Sequence, residues 1–190
     1  MPPRLQPEDI LQVVKFDYMR IERNFVEIME ANSAFTRDNL YLMCLDEESV
    51  EAAKSMGVIC VPIQDLVKGK RNANIWKLRV SVVACLLEAG NNVILSDSDA
   101  LWVGDPLKDL NLPAVRNSSI VASRGSYPFP LSLSWGSTMC MGFVFFRATG
   151  TGMTEFPEVL KRLVLETRDD QWSLNAALEE LGIYGMVTAI

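Results

Sequence analysis

The sequence predicts an α/β fold, a mostly parallel sheet covered by helices, on three observations. Short apolar runs alternate with segments of helical periodicity, so residues 10–63 read βαβαβ, the order of parallel strands joined by crossover helices. A further run, Val93, Ile94 and Leu95, is apolar without alternation, as a buried strand is. Finally, 190 residues with 49% apolar content suffice for a sizeable core and point to one domain over residues 1–190.

Residues 1–9 form a polar, Pro-rich lead, and 10–16 a first strand of poor pattern that Lys15 interrupts. Ile21, Phe25, Ile28 and Met29 recur at helical spacing and give an amphipathic helix over residues 19–32. Residues 40–45 are continuously apolar, hence a buried strand; Asp46 then caps a helix to Met56, which Gly57 ends. Val58 to Ile63 is the next strand, and Lys68, Gly69, Lys70 and Arg71 a basic, solvated turn. Asn74 caps a helix over 75–89 whose buried face is Ile75, Leu78, Val82, Val83 and Leu86.

After the strand at 93–95, residues 107–119 read as irregular loop and Ile120 to Ser123 as a short strand. Residues 124–140, with Pro128, Pro130 and Trp135, read as a long loop with aromatic content, a kind of segment that often carries function. Gly142 opens a buried strand to Phe146, followed by Arg147; the glycine either admits a close approach or marks a bulge. Pro157 fits the first turn of a helix to Thr167. Asp169 or Asp170 caps a last helix to Glu180, which Gly182 ends. The final residues are apolar up to Ile190, the pattern expected of a chain cut short.

Composition narrows the chemistry. A net charge of −6 and a pI near 4.8 argue against a general nucleic-acid or anionic-membrane surface, though not against a bound nucleotide. The chain has no histidine, which removes Ser-His-Asp and Cys-His catalysis and every His-ligated zinc site. Cys44, Cys60, Cys85 and Cys140 all lie in apolar runs without a C-x-x-C pair and read as buried core thiols. No stretch is long and apolar enough to span a membrane, and the first residues are no signal peptide.

The informative stretch follows Leu95: Ser96, Asp97, Ser98, Asp99, then Ala100, Leu101, Trp102 and Val103. Two carboxylates one residue apart repel, and each raises the other's pKa unless a cation lies between them. A hard divalent ion, Mg²⁺ or Mn²⁺, resolves that conflict with oxygen ligands, at the strand end where open α/β sheets hold ligands. The plain alternative is a turn whose Asp side chains bond nearby backbone N–H groups. Upstream, Lys77 and Arg79 lie two positions apart, about 200° around a helix, so both cannot face one pocket unless one lies in a frayed first turn.

Asp97 and Asp99, with Trp102 and Asp105-Pro106, resemble the "D-x-D…W…DP" signature of the nucleotide-diphospho-sugar transferases of the plant and algal type, glycosyltransferase family 77. Trp76-Lys77-Leu78-Arg79 resembles that family's K-x-R segment, the stretch from Met141 to Arg147 its "N-x-G-F-x-x-x-R" strand, and Asp170-Gln171 with Asn175 its "D-Q-x-x-x-N" helix start. The resemblance implies a GT-A fold, a Rossmann-like α/β/α sandwich, that binds a UDP-sugar and Mn²⁺ or Mg²⁺. It implies transfer to a glycan or glycoprotein acceptor with the anomeric configuration retained, in the Golgi lumen. Carried over by residue, Asp99 is the main metal ligand and Asp97 touches the metal or the ribose. Lys77 or Arg79 reaches the donor's phosphates or sugar, Gly142 lines the sugar pocket, and Asp170 and Gln171 face donor sugar and acceptor.

The sequence departs from that pattern where Cys140 replaces the Asn before the glycine, and in having no C-terminal His. Two other readings are an inert transferase-like domain that only binds a glycan or protein, and a phosphatase of the haloacid-dehalogenase type. The latter also places D-x-D after a strand, but normally the first strand of its fold.

Overall fold

The structure, a computed structural model, describes residues 10–15, 19–44, 46–63, 73–167, 169–183 and 187–189. Seven strands, β1 (Ile10–Lys15), β2 (Leu40–Cys44), β3 (Ile59–Pro62), β4 (Asn92–Asp97), β5 (Ile120–Gly125), β6 (Thr138–Phe146) and β7 (Val187–Ala189), form one sheet in the order β3-β2-β1-β4-β6-β5-β7. Only β6 runs against its neighbours; the other pairings are parallel. The expected α/β sandwich with a mostly parallel sheet is therefore present.

Helices α1 (Met19–Asn32), α2 (Glu47–Met56) and α3 (Ala73–Glu88) are the crossovers of the first four strands. α4 (Pro106–Leu110), α5 (Phe129–Trp135), α6 (Phe156–Thr167) and α7 (Asp170–Glu180) follow. Strand alternation splits the core in two. Val93, Leu95, Val144 and Phe146 face α3, α6 and α7, while Leu42, Ile94 and Phe145 face α1, α2 and α4. In the second half Trp102 meets Phe25, Phe35 and Phe143 edge-on, with ring centroids 5.5, 5.5 and 6.0 Å apart, the arrangement that ring quadrupoles favour.

Local signals act as the sequence suggests at most boundaries. The Asp46 side chain accepts from the Ser49 N–H at 2.7 Å and starts α2; Gly57 ends it at φ 69°, a left-handed conformation cheap only for glycine. Asp169 caps α7 through the Trp172 N–H at 2.6 Å, so capping accounts for Asp169 and not for Asp170.

Elsewhere the structure corrects the sequence reading. The poor first strand β1 is central, paired with both β2 and β4. Asn74 is no cap, because α3 begins at Ala73. Of its predicted buried face only Val83 is fully enclosed; Arg79, Val80, Ala84 and Leu87 are the others, because a helix apolar on nearly every side marks no single face. Residues 107–119 include part of α4, capped by Asp105 with Pro106 in its first turn. The supposed loop 124–140 contains α5 and three residues of β6, so Gly142 lies inside a strand rather than at its start. Cys44 and Cys60, two positions apart in register on adjacent strands, form a disulfide with Cα atoms 6.1 Å apart. Cys85 is exposed and Cys140 half-buried, so the reading of buried core thiols does not hold for that pair. The basic stretch Lys68 to Arg71 lies outside the described residues.

Candidate active site

From β1 the chain builds outward through β2 to β3, then crosses by α3 to β4 on the other side of β1. The reversal makes the carboxyl ends of β1 and β4 a topological switch point, where open α/β sheets have their crevice. β1 ends at Lys15 and β4 at Asp97, and these two residues are register partners. Past Asp97 the chain turns tightly, with the Ala100 N–H donating to the Asp97 carbonyl at 3.0 Å. In this turn Ser98 is buried and Asp99 exposed. The second acid thus stands at the crevice mouth and the first at its floor.

The floor is organised by Arg79, whose side chain is 1% exposed. A guanidinium so buried must be paired, since desolvating it alone costs several kcal/mol. Its Nη2 lies 2.9 Å from Asp97 Oδ1, its Nη1 3.1 Å from Asp170 Oδ2, and Nη2 also donates to the Met141 carbonyl. Only a planar fork reaches three acceptors from one buried position. The Asp170 contact is an ion pair without hydrogen-bond alignment, and Arg79 Nε is buried without an acceptor. Burial pushes the Asp170 carboxyl above its ordinary pKa against the pull of Arg79. Lys77 is half-exposed on another side of α3, so Arg79 is the basic residue of that segment that meets Asp97.

β6 continues past the end of its pairing with β4, and side chains of α7 take its backbone groups there. Asn175, fully buried, accepts from the Met139 N–H and donates to the Met139 carbonyl, both at 2.8 Å. Gln171 accepts from the Met141 N–H at 3.3 Å and donates through Nε2 to the Tyr127 carbonyl at 2.6 Å. Residues 171 and 175 share a helix face by their i, i+4 spacing, the signal in sequence that could have revealed this clamp. On its other side β6 slips against β5: Ala122 opposes Val144 but Ser123 opposes Cys140. Gly142 lies in the slip. A methyl group there would sit 3.4 Å from Asp97 Oδ2 and 3.5 Å from Cys140 Sγ, at ordinary contact distance, so Gly142 lies directly beside the Asp97 carboxylate. The register shift accords with the bulge reading.

Arg147, at the other end of β6, donates through Nε to the Ser118 carbonyl at 3.3 Å and lies over the Phe145 ring. It is structural. The sites that sequence reasoning brought together are Arg79, Asp97, Asp170 and Gly142; Gln171 joins them through the β6 backbone.

Among the described residues no cluster of three His, Cys, Asp or Glu side chains forms a closed metal cage. Asp97 and Asp99 nonetheless fit Mg²⁺ or Mn²⁺, which take one or two carboxylates and complete their shell with substrate phosphates and water.

These features define an α/β fold with an acid pair at the end of a central strand, and comparison with known proteins gives its family. The family model for nucleotide-diphospho-sugar transferases matches residues 36–188, and the chain belongs to that family. No curated protein matches the sequence. Among solved structures, the bifunctional glycosyltransferase WbbM aligns at a TM-score of 0.63 and 13% identity, over 100% of this chain and 40% of its own. Mouse xyloside xylosyltransferase 1 aligns at 0.60 and 13%, over 95% and 84%. The mannosyltransferase PcManGT from Pyrobaculum calidifontis, solved with GDP-Man and Mn²⁺, aligns at 0.56 and 12%, over 96% and 54%. The fold is that of the GT-A nucleotide-sugar transferases. The family and this fold set aside the phosphatase reading.

Proposed function

We propose that this chain is the donor-binding domain of a metal-dependent, retaining glycosyltransferase that moves a sugar from a UDP-sugar to a glycan or glycoprotein. The observation that carries the reading is the Asp97–Asp99 turn at the switch-point crevice of a chain in this family, with Asp97 fixed from below by a buried arginine. Asp97 and Asp99 would hold Mn²⁺ or Mg²⁺ with the donor diphosphate. Bound there, the ion supplies Lewis acidity to the departing nucleotide. PcManGT, solved with GDP-Man and Mn²⁺, supports the pairing of such a donor with such an ion on this fold. UDP as the nucleotide, and residence in the Golgi lumen, rest on the resemblance to glycosyltransferase family 77.

The chain's own residues then have distinct tasks. Arg79 holds the Asp97 carboxylate in one orientation, so that it needs no rearrangement during the reaction. Asp170, 5% exposed, acts through Arg79 as a positioning residue. Gln171 holds the Met141 N–H of β6 and the Tyr127 carbonyl. Retention on one face of the sugar requires no strong protein base, in keeping with a chain that has no histidine.

The test is release of UDP from UDP-xylose, UDP-arabinose and UDP-galactose with Mn²⁺. Release from at least one donor, abolished by EDTA and by Asp99→Asn, is expected. Release that ignores both treatments would refute the reading, and no release with any donor would favour the inert binding domain.

A further inference from the structure

Beside the acid crevice is a second feature that the donor chemistry does not use. Tyr127 and Trp172 meet edge-to-face with ring centroids 5.7 Å apart and planes at 71°, yet are 43% and 38% exposed. Two residues past Tyr127, α5 turns Phe129 and Leu133 outward at 64% and 69% exposure, and buries no residue at all. Two exposed rings in mutual contact are more than a scattered single apolar residue, which needs no explanation.

The pair is rigidly mounted. The Tyr127 carbonyl accepts from Thr138 Oγ1 at 2.7 Å and from Gln171 Nε2 at 2.6 Å. Trp172 sits in the first turn of α7, its N–H on the Asp169 cap at 2.6 Å. Asp169 also lies close enough to Tyr127 to disfavour loss of the phenol proton, second to the effect of burial. Trp172 is one residue from Gln171 and two from Asp170, which pairs with Arg79 and through it meets Asp97. Gln171, whose Oε1 accepts from the Met141 N–H, also holds the Tyr127 carbonyl, and the Met141 carbonyl accepts from Arg79, so the Tyr127 backbone is joined to the residues under Asp97.

We propose that Tyr127 and Trp172 form a carbohydrate subsite that receives a neutral sugar unit of the acceptor glycan. This rests on the donor reading above for the identity of the reaction, and deepens it. A sugar ring presents an apolar C–H face and a rim of hydroxyls. Two fixed aromatic rings at an angle match the first, and the Asp169 carboxylate and Tyr127 hydroxyl match the second. Rings with few rotatable bonds, on a backbone held by these hydrogen bonds, lose little entropy when a ligand stacks on them. The carboxylate beside the pair disfavours a phosphate or an acidic sugar, so the nucleotide is not its occupant.

Calorimetry on this chain tests it, with trisaccharides of xylose, arabinose, galactose and mannose as probes and UDP with Mn²⁺ as the donor control. At least one trisaccharide should bind, and Trp172→Ala and Tyr127→Ala should weaken it about tenfold or more. Trp172→Phe should keep most of the affinity, and all variants should bind UDP with Mn²⁺ as the parent does. Three results would overturn the proposal: no trisaccharide binds, Trp172→Ala binds as the parent does, or the variants lose UDP instead, which would put the nucleobase on these rings. A parent chain that binds a trisaccharide through Trp172 but no UDP would refute the donor reading and leave the subsite standing.

Discussion

Arg79 carries the largest energetic stake of any single residue in the site. It is buried among two carboxylates and a carbonyl, and removing one partner of such a group leaves the others uncompensated in a low-dielectric floor. Arg79→Met should lower unfolding stability by about 3–5 kcal/mol in urea titrations. A loss under about 1 kcal/mol would show that water reaches the floor and solvates the acids. Asp170 gives a pH signature of its own. Its folded pKa is raised, chiefly by burial, so the native state holds its proton to higher pH than the unfolded chain does. Its contribution to stability is full below the ordinary carboxylate range and is lost as pH rises through the raised value. The stability of the parent minus that of Asp170→Asn should therefore decline as pH rises above the ordinary carboxylate range in EDTA. A difference that grows with pH would mean that Arg79, not burial, dominates.

At the scale of elements, the site depends on α7 gripping β6. Asn175 supplies both a donor and an acceptor to Met139, a match that only a side-chain amide offers. Asn175→Asp keeps the shape but sets an acceptor against the Met139 carbonyl, and should cost about 1–3 kcal/mol for the buried group left unmet. It should also loosen the Gly142 bulge, seen as faster amide exchange at Met139 and Met141; unchanged exchange would show that the β5 ladder suffices. This grip was only half legible in the sequence. The "D-Q-x-x-x-N" spacing marked the residues, but a capping role for Asp170 competed with a site role until Asp169 proved to be the cap. α4 and α5 went unread for a plainer reason. Both are short, α5 buries nothing, and each carries prolines that a loop would also carry, though Pro in a first turn is compatible with a helix. β1 looked weak because Lys15 breaks its apolar run, and that lysine stands opposite Asp97 at the switch point. Local consistency fails there, at the end of the strand nearest the crevice.

Over the whole molecule, the sheet order does what no local pattern could specify. β1, β2 and β3 carry the chain to one side, and α3 then delivers both the next strand and Arg79 to the other. The acid pair was legible because apolar flanks left its charge unexplained. The arginine beneath it was legible only as one of two candidates, since helical spacing separates Lys77 from Arg79 without saying which turns inward. Tyr127 and Trp172 gave no periodic signal, for they meet across 45 residues only because β6 and α7 bring them together. Among the described residues no helix is long and apolar enough to cross a membrane. The account stands on one shared ion at Asp97 and Asp99, and calorimetry of UDP with and without Mn²⁺ tests that most directly. Binding that requires Mn²⁺ in the parent and disappears in Asp99→Asn is the predicted result. UDP that binds equally well in EDTA, or to Asp99→Asn as to the parent, would contradict it.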